Sequence, residues 1–235
     1  MTAQRPTVVH VAIIDSGANV PHPHLPSVAD GIAFDVDGGA SGDVVDRLGH
    51  GTAAAAAIHE KAPDAVLHVV KVFDRELATT VATLVRAIDW ATERGCRVVN
   101  LSLGTPNAFR ATELAPAIER AAERGSIVVS AFAMDGRRWY PGSMGGVVGV
   151  VMDPDQPRDE VHVIDFEGKE VLRAAPWPRP VPGLPRERNL NGISFAVANA
   201  TGVLARVLAG APEARTARAA LALLRGRTPP SPGGH

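Results

Sequence analysis

The chain has 235 residues, with 24 Lys and Arg against 25 Asp and Glu, and is 46% hydrophobic and 21% charged. That length supports a sizeable core, and the near-neutral balance excludes recognition of nucleic acid or an anionic membrane by bulk charge. The lone cysteine, Cys96, excludes an internal disulfide framework, and the longest apolar runs, such as Gly145–Met152, fall far short of the roughly 20 residues of a membrane helix.

In chain order, Val8–Ile14, Val66–Val72, Val98–Leu103, Ile127–Ala131 and Val147–Met152 are short Val- and Ile-rich runs that read as strands buried on both faces. Between the second and third, Thr79–Arg94 repeats Val81, Leu84, Val85, Ile88 and Ala91 at helical spacing, with Thr79 or Thr80 as cap and Gly95 as terminator. Ala111–Arg124 repeats the pattern between the third and fourth, closed by Gly125. Strands alternating with helices predict an α/β fold in three layers, a parallel sheet covered on both faces. Pro21–Asp46, rich in Gly, Pro and Asp, reads as a long surface connection. Asp153–Asn191 holds seven prolines and excludes a long helix, while Val161–Leu172 within it suggests a hairpin around Phe166–Lys169. Phe195–Leu208 reads as a buried helix and Ala214–Leu224 as another. One domain over residues 1–225 and a disordered tail over 226–235 are expected.

Three local sequences carry chemistry. Ile13-Ile14-Asp15-Ser16-Gly17 places a carboxylate at the carboxyl end of the first strand, where ligands and catalytic groups gather in open α/β sheets. Gly49-His50-Gly51-Thr52 places an imidazole at the start of an alanine-rich helix. Asn191-Gly192-Ile193-Ser194-Phe195-Ala196 places a serine at the start of a small-residue helix. Singly, each suits a cap or a loop. Together they supply a nucleophile, a base and an orienting carboxylate.

With these motifs in the order Asp, His, Ser, the chain resembles the subtilisin-like serine proteases (subtilases, peptidase S8). Ala62–Val72 is similar to the family's second core strand, and Val99-Asn100-Leu101-Ser102-Leu103-Gly104 to its Asn-x-Ser-Leu-Gly strand. Tyr140-Pro141-Gly142 and Val171–Pro176 resemble later landmarks, so the resemblance runs from about Val8 to about Leu208. It implies Ser194 as nucleophile, His50 as base and then acid, Asp15 as orienting group, and the Ser194 amide as one oxyanion donor. It also implies that Ser102, Leu103 and Gly104 hold an extended peptide or protein substrate by backbone pairing.

The chain departs from the family where the second oxyanion donor, an Asn side chain in an Ala-Ala-Gly-Asn-x-Gly loop, is expected. Ser130–Gly136 puts Met134 there, or Asp135 with a one-residue slip, and neither supplies a neutral N–H donor. Asn189, Asn191 and Arg137 are the candidate substitutes. Ile193, Ala198, Ala56 and Trp177 also replace family residues without removing a catalytic atom. Seven residues precede the first strand and no secretory pattern is visible, so no folding pro-segment and a cytoplasmic protein are expected. No cofactor is expected: many relatives bind calcium, but Asp35, Asp37, Asp43 and Asp46 do not fit a twelve-residue calcium loop and read as a solvated acidic segment. His22 and His24 read as extended and surface-bound between prolines, and Cys96 as buried and inert.

The expected function is slow, selective cleavage of peptides such as precursors by acyl-enzyme chemistry, with interception of the acyl-enzyme by an amine as its ligase or macrocyclase variant. The rival reading is a pseudoprotease that holds a peptide or partner without cutting it. A nucleotide-binding reading of Gly142–Gly149 fails the G-x-G-x-x-G context. Neither nucleic acid nor membrane is expected as a partner.

Overall fold

The computed structural model describes residues 7–226. Strands β1 (His10–Asp15), β2 (Asp30–Phe34) and β3 (Ala40–Ser41) precede helix α1 (His50–Lys61). Strand β4 (Val66–Lys71), helix α2 (Val81–Glu93), strand β5 (Val98–Leu101), helix α3 (Phe109–Glu123) and strand β6 (Ile127–Ala131) follow in alternation. After the short β7 (Ala133–Met134) and β8 (Arg137–Arg138) come β9 (Val148–Met152), β10 (Val161–Phe166) and β11 (Lys169–Ala174). Helices α4 (Ile193–Leu208) and α5 (Ala217–Arg225) complete the order. Positions 227–235 of the expected tail lie outside the described residues.

One nine-stranded sheet runs β10-β11-β9-β6-β5-β1-β4-β2-β3. It is parallel from β11 to β2, and the edge strands β10 and β3 pair antiparallel. The β-branched runs are buried on both sides because successive residues serve different layers. Val11 and Ile13 face α1, α4 and α5, whereas Ala12 and Ile14 face α2 and α3. The expected helix ends hold: Thr80 Oγ1 accepts the Thr83 amide at 3.1 Å, and Gly95 and Gly125 take φ of 72° and 79°. Among the described residues no helix is long and apolar enough to cross a membrane.

Pro21–Asp46 is more than a surface connection. It supplies β2, paired parallel with β4, and β3 beyond it, and it buries Leu25. His22 and His24 are not extended either: His22 and Leu25 exchange backbone hydrogen bonds of 3.0 and 2.9 Å, closing a tight turn. The hairpin in Asp153–Asn191 forms as expected, with Glu167 and Gly168 at φ of 52° and 76°, the handedness that a two-residue turn between twisted strands requires. Burial pushes the Cys96 thiol up to about 12, in keeping with an inert core cysteine.

Candidate active site

The order of strand addition reverses at β1, whose parallel neighbours are β4 on one side and β5 on the other, and the candidate groups collect at the carboxyl ends of these strands. Asp15 ends β1 and is 1% exposed. Its Oδ1 accepts the Ser16 amide at 2.7 Å and lies 2.7 Å from His50 Nδ1. Its Oδ2 is buried without a hydrogen-bond partner among the described residues. The close approach of α1 to β1 requires Gly51, since a Cβ there would stand 2.2 Å from the Gly17 carbonyl oxygen and 3.2 Å from the Asp15 Cβ. Burial works to lower the His50 pKa. The hydrogen bond and charge of Asp15, with the charge of Asp46, outweigh it and raise the imidazole above its ordinary value.

Asp46, expected as part of a solvated segment, is instead buried and organises the entry to α1. Its Oδ1 accepts from Ser16 Oγ (2.8 Å), the Leu48 amide (3.0 Å) and the Gly49 amide (2.8 Å). Its Oδ2 accepts from the amide and hydroxyl of Thr52, at 2.8 and 2.6 Å. Ser16 Oγ in turn accepts the Gly51 amide at 2.9 Å, so one carboxylate ties the end of β1 to both sides of His50. Burial would raise its pKa, but the bonds from Thr52, Ser16 and Leu48 hold it below the usual carboxylate range. Lys71, buried at the end of β4, fixes the same loop by donating to the Val45 carbonyl at 2.9 Å. The spacing Asp46-x-x-Gly49, a carboxylate accepting amides two and three residues on, is the local signal that marks this role.

Ser194 is the second residue of α4, after Gly192 at φ 138°. Its Oγ donates to the Ser102 carbonyl at 3.0 Å and, among the described residues, makes no hydrogen bond to His50. The neighbouring Phe195 ring packs on the His50 ring at 5.2 Å between centroids. A buried chain supports Ser102: Thr201 Oγ1 donates to Asn100 Oδ1 (3.0 Å), Asn100 Nδ2 donates to Ser102 Oγ (2.7 Å), and Ser102 Oγ reaches the Ser194 carbonyl at 3.4 Å. Beyond β5, Leu103 and Gly104 are half-buried, and the Gly104 amide and carbonyl carry no hydrogen bond to another described residue. Thr105 then pairs with Tyr140 through reciprocal bonds of 3.0 and 2.9 Å. Gly104 is required there because a Cβ would stand 2.6 Å from the Tyr140 carbonyl oxygen and 3.3 Å from Trp139.

The stretch matching the oxyanion loop is a two-residue hairpin. Met134 pairs with Arg137, and Asp135 and Gly136 turn at φ of 53° and 70°. Met134 is half-buried against the core under α1 and α4, while Asp135 is exposed at the tip. Of the candidate substitutes, Asn189 is committed, donating to the Arg179 carbonyl at 3.2 Å and accepting the Leu190 amide at 2.8 Å. Asn191 and Arg137 are exposed and make no side-chain hydrogen bond to a described residue. The loop carboxylates bond within the protein: Asp35 accepts the Asp37 and Gly39 amides, Asp43 pairs with Arg47 at 2.8 Å, and Asp46 accepts from Ser16, Leu48, Gly49 and Thr52. Trp177 anchors the proline-rich segment, its carbonyl accepting from Arg158 (3.1 Å) and Asn199 (2.9 Å).

The profile of peptidase S8, the subtilase family, matches residues 7–152. The chain belongs to the subtilases. It is 30% identical over 224 residues to subtilisin DY of Bacillus licheniformis, covering 87% of this chain and 78% of that protein. It is 31% identical over 210 residues to a thermostable alkaline protease of Halalkalibacterium halodurans, covering 84% of this chain and 56% of the relative. These relatives are serine endopeptidases, and the family acts on peptide or protein substrates. Among solved structures, a lanthipeptide protease superposes with a TM-score of 0.69 at 20% identity, over 94% of this chain and 82% of that one. The prenylagaramide maturation protease follows with a TM-score of 0.65 at 24% identity, over 89% and 78%. Both likenesses carry the fold of this subtilase.

Proposed function

We propose that this subtilase is a slow, selective serine peptidase in which Asp15, His50 and Ser194 perform acyl-enzyme chemistry on an extended peptide, in the manner of a precursor-processing protease. The observation that carries the reading is the 2.7 Å contact between Asp15 Oδ1 and His50 Nδ1, in a chain whose serine at the head of α4 adjoins the Phe195 ring packed on that imidazole. Asp15 holds the proton on Nδ1 and leaves Nε2 as the basic nitrogen. For reaction, Ser194 Oγ leaves the Ser102 carbonyl and turns to His50, which takes its proton as the Oγ–acyl carbon bond forms. His50 then gives that proton to the leaving amine, and water completes the cycle. The raised imidazole pKa shifts the expected acid limb of activity upward from where an ordinary histidine would place it. The unpaired backbone of Gly104 supports pairing with substrate. Met134 supports slow turnover, since one missing oxyanion donor lowers the rate roughly 10²–10³-fold.

The hydrogen bond of Ser194 to the Ser102 carbonyl, rather than to His50, favours a second reading as a peptide-binding protein that does not cut. Incubation of the purified protein with a phosphonofluoridate probe, followed by intact mass spectrometry, separates the two. A stoichiometric adduct in wild type, absent in Ser194→Ala, is expected. A folded wild type that takes up no probe overturns the peptidase reading.

A further inference from the structure

A pocket of about 240 Å³ lies against the face of α1 that carries Thr52, Ala53 and Ala56, beside the segment that leads into Ser194. Its walls include His22, His24, Arg179 and Leu190 and, among the described residues, no aspartate or glutamate. Arg179 is short of partners there. Among the described residues its guanidinium makes one hydrogen bond, to the His24 carbonyl at 3.5 Å, and its salt-bridge partner Glu60 is 4.0 Å away. Glu60 is already held by Arg158 at 2.5 Å and by Lys61 at 2.8 Å, so three cations share one carboxylate. His22 Nδ1 accepts the His24 amide at 3.2 Å, which leaves its other nitrogen as the N–H donor, and the two rings stand edge to face at 5.5 Å. Burial, then the charges of Arg179 and His22, lower the His24 pKa against the pull of Glu60, as expected where the field is positive.

The pocket borders the reacting groups on a side that Ser102–Gly104 does not share. Gly49, next to His50, and Leu190, four residues before Ser194, both line it, and none of Ser102, Leu103 or Gly104 does. We propose that this pocket takes a carboxylate from the segment released when Ser194 is acylated, with the Arg179 guanidinium as its ion-pair partner. The carboxylate is an acidic side chain or the C-terminus of that segment. The inference rests on the acyl-enzyme reading: the acyl half stays on Ser194 along the Ser102–Gly104 edge, and the amine half, protonated by His50, departs over Gly49 and Leu190.

Running the step backwards tests it. The protein is acetylated with p-nitrophenyl acetate in the presence of the dipeptide amines Ala-Glu-amide or Ala-Gln-amide, and Ala-Gly acid or Ala-Gly-amide. The ratio of acetyl-dipeptide to acetate is read by mass spectrometry. In one pair the acidic acceptor is expected to win by roughly tenfold, the discrimination of one charge-assisted contact, and which pair does so separates side chain from terminus. Arg179→Gln is expected to reduce the preference below twofold, and Arg179→Lys to keep part of it. Equal partitioning in both pairs, with acetyl-enzyme forming, overturns the inference. If no acetyl-enzyme forms, the acyl-enzyme reading falls instead, and imidazole NMR of the wild type decides the pocket. A rise in the His24 pKa with Ala-Glu-amide or Ala-Gly acid, absent with the neutral twins, supports a carboxylate site; no rise with either acid overturns it.

Discussion

Replacing Asp46 by Asn keeps the shape of the side chain and removes its charge. The carboxylate accepts five hydrogen bonds, three on Oδ1 and two on Oδ2, from donors that are themselves fixed by the backbone or by Ser16 and Thr52. An amide retains one acceptor oxygen. Its best orientation leaves that oxygen facing Ser16, Leu48 and Gly49 and turns the NH₂ toward Thr52, whose hydroxyl can rotate to accept but whose amide cannot. One buried N–H then loses its partner, at about 1–3 kcal/mol, and three charge-assisted bonds become neutral ones of about half the strength. The expected loss is about 3–5 kcal/mol, roughly a 10 °C fall in Tm for a chain of this size. Urea unfolding followed by far-UV circular dichroism measures it, with Asp37→Asn, on an exposed side chain with no such bonds, as the control. NMR of the same variant should show a lower His50 pKa, because the charge of Asp46 contributes to raising it. An unchanged m-value with a stability within about 1 kcal/mol of wild type would refute the assigned role of this carboxylate.

Three further outcomes are expected. Met134→Asn should raise turnover of an activated ester by up to about 10²-fold, and an unchanged or lower rate in the folded protein would show that position 134 does not face the oxyanion. Gly51→Ala should abolish acylation and also lower Tm, because its Cβ would meet the Gly17 carbonyl oxygen at 2.2 Å and push His50 off Asp15; activity within threefold of wild type would contradict that. Glu60 is held at about 2 against an ordinary 4.5, with burial opposing and the bonds from Arg158 and Lys61 prevailing. Between those values the unfolded chain binds a proton that the folded one does not, so stability should fall by at most about 3 kcal/mol as pH drops from 4.5 toward 2. Glu60→Gln should flatten that part of the acid-denaturation curve.

The central strands and the two flanking helices were legible because their signals are local. Strands buried on both faces are apolar at every position, as in Val11–Ile14, and Thr80 and Gly95 bound α2 by backbone chemistry that neighbouring residues decide. Strand β2 was not legible, since Asp30-Gly31-Ile32-Ala33-Phe34 is short, glycine-containing and embedded among turn formers, and it is a strand only because β4 is available to pair with it. Asp46 was misread for a similar reason: its burial comes from Ser16, thirty residues earlier, and from the packing of α1 on β1. The motifs around Asp15 and His50 announce the contact between those two side chains, but the sequence does not show the rotamer of Ser194, whose hydroxyl bonds a carbonyl 92 residues away.

That carbonyl has a consequence for how the protein lives among other peptides. In the proposed chemistry, a hydroxyl bonded to Ser102 has to break that hydrogen bond before His50 can take its proton, at about 0.5–1.5 kcal/mol. That is a few-fold in rate, and it falls on a small probe and a long peptide alike. Choice among peptides is then left to the backbone edge at Gly104 and the walls of the cleft, since the serine itself imposes the same small toll on all of them.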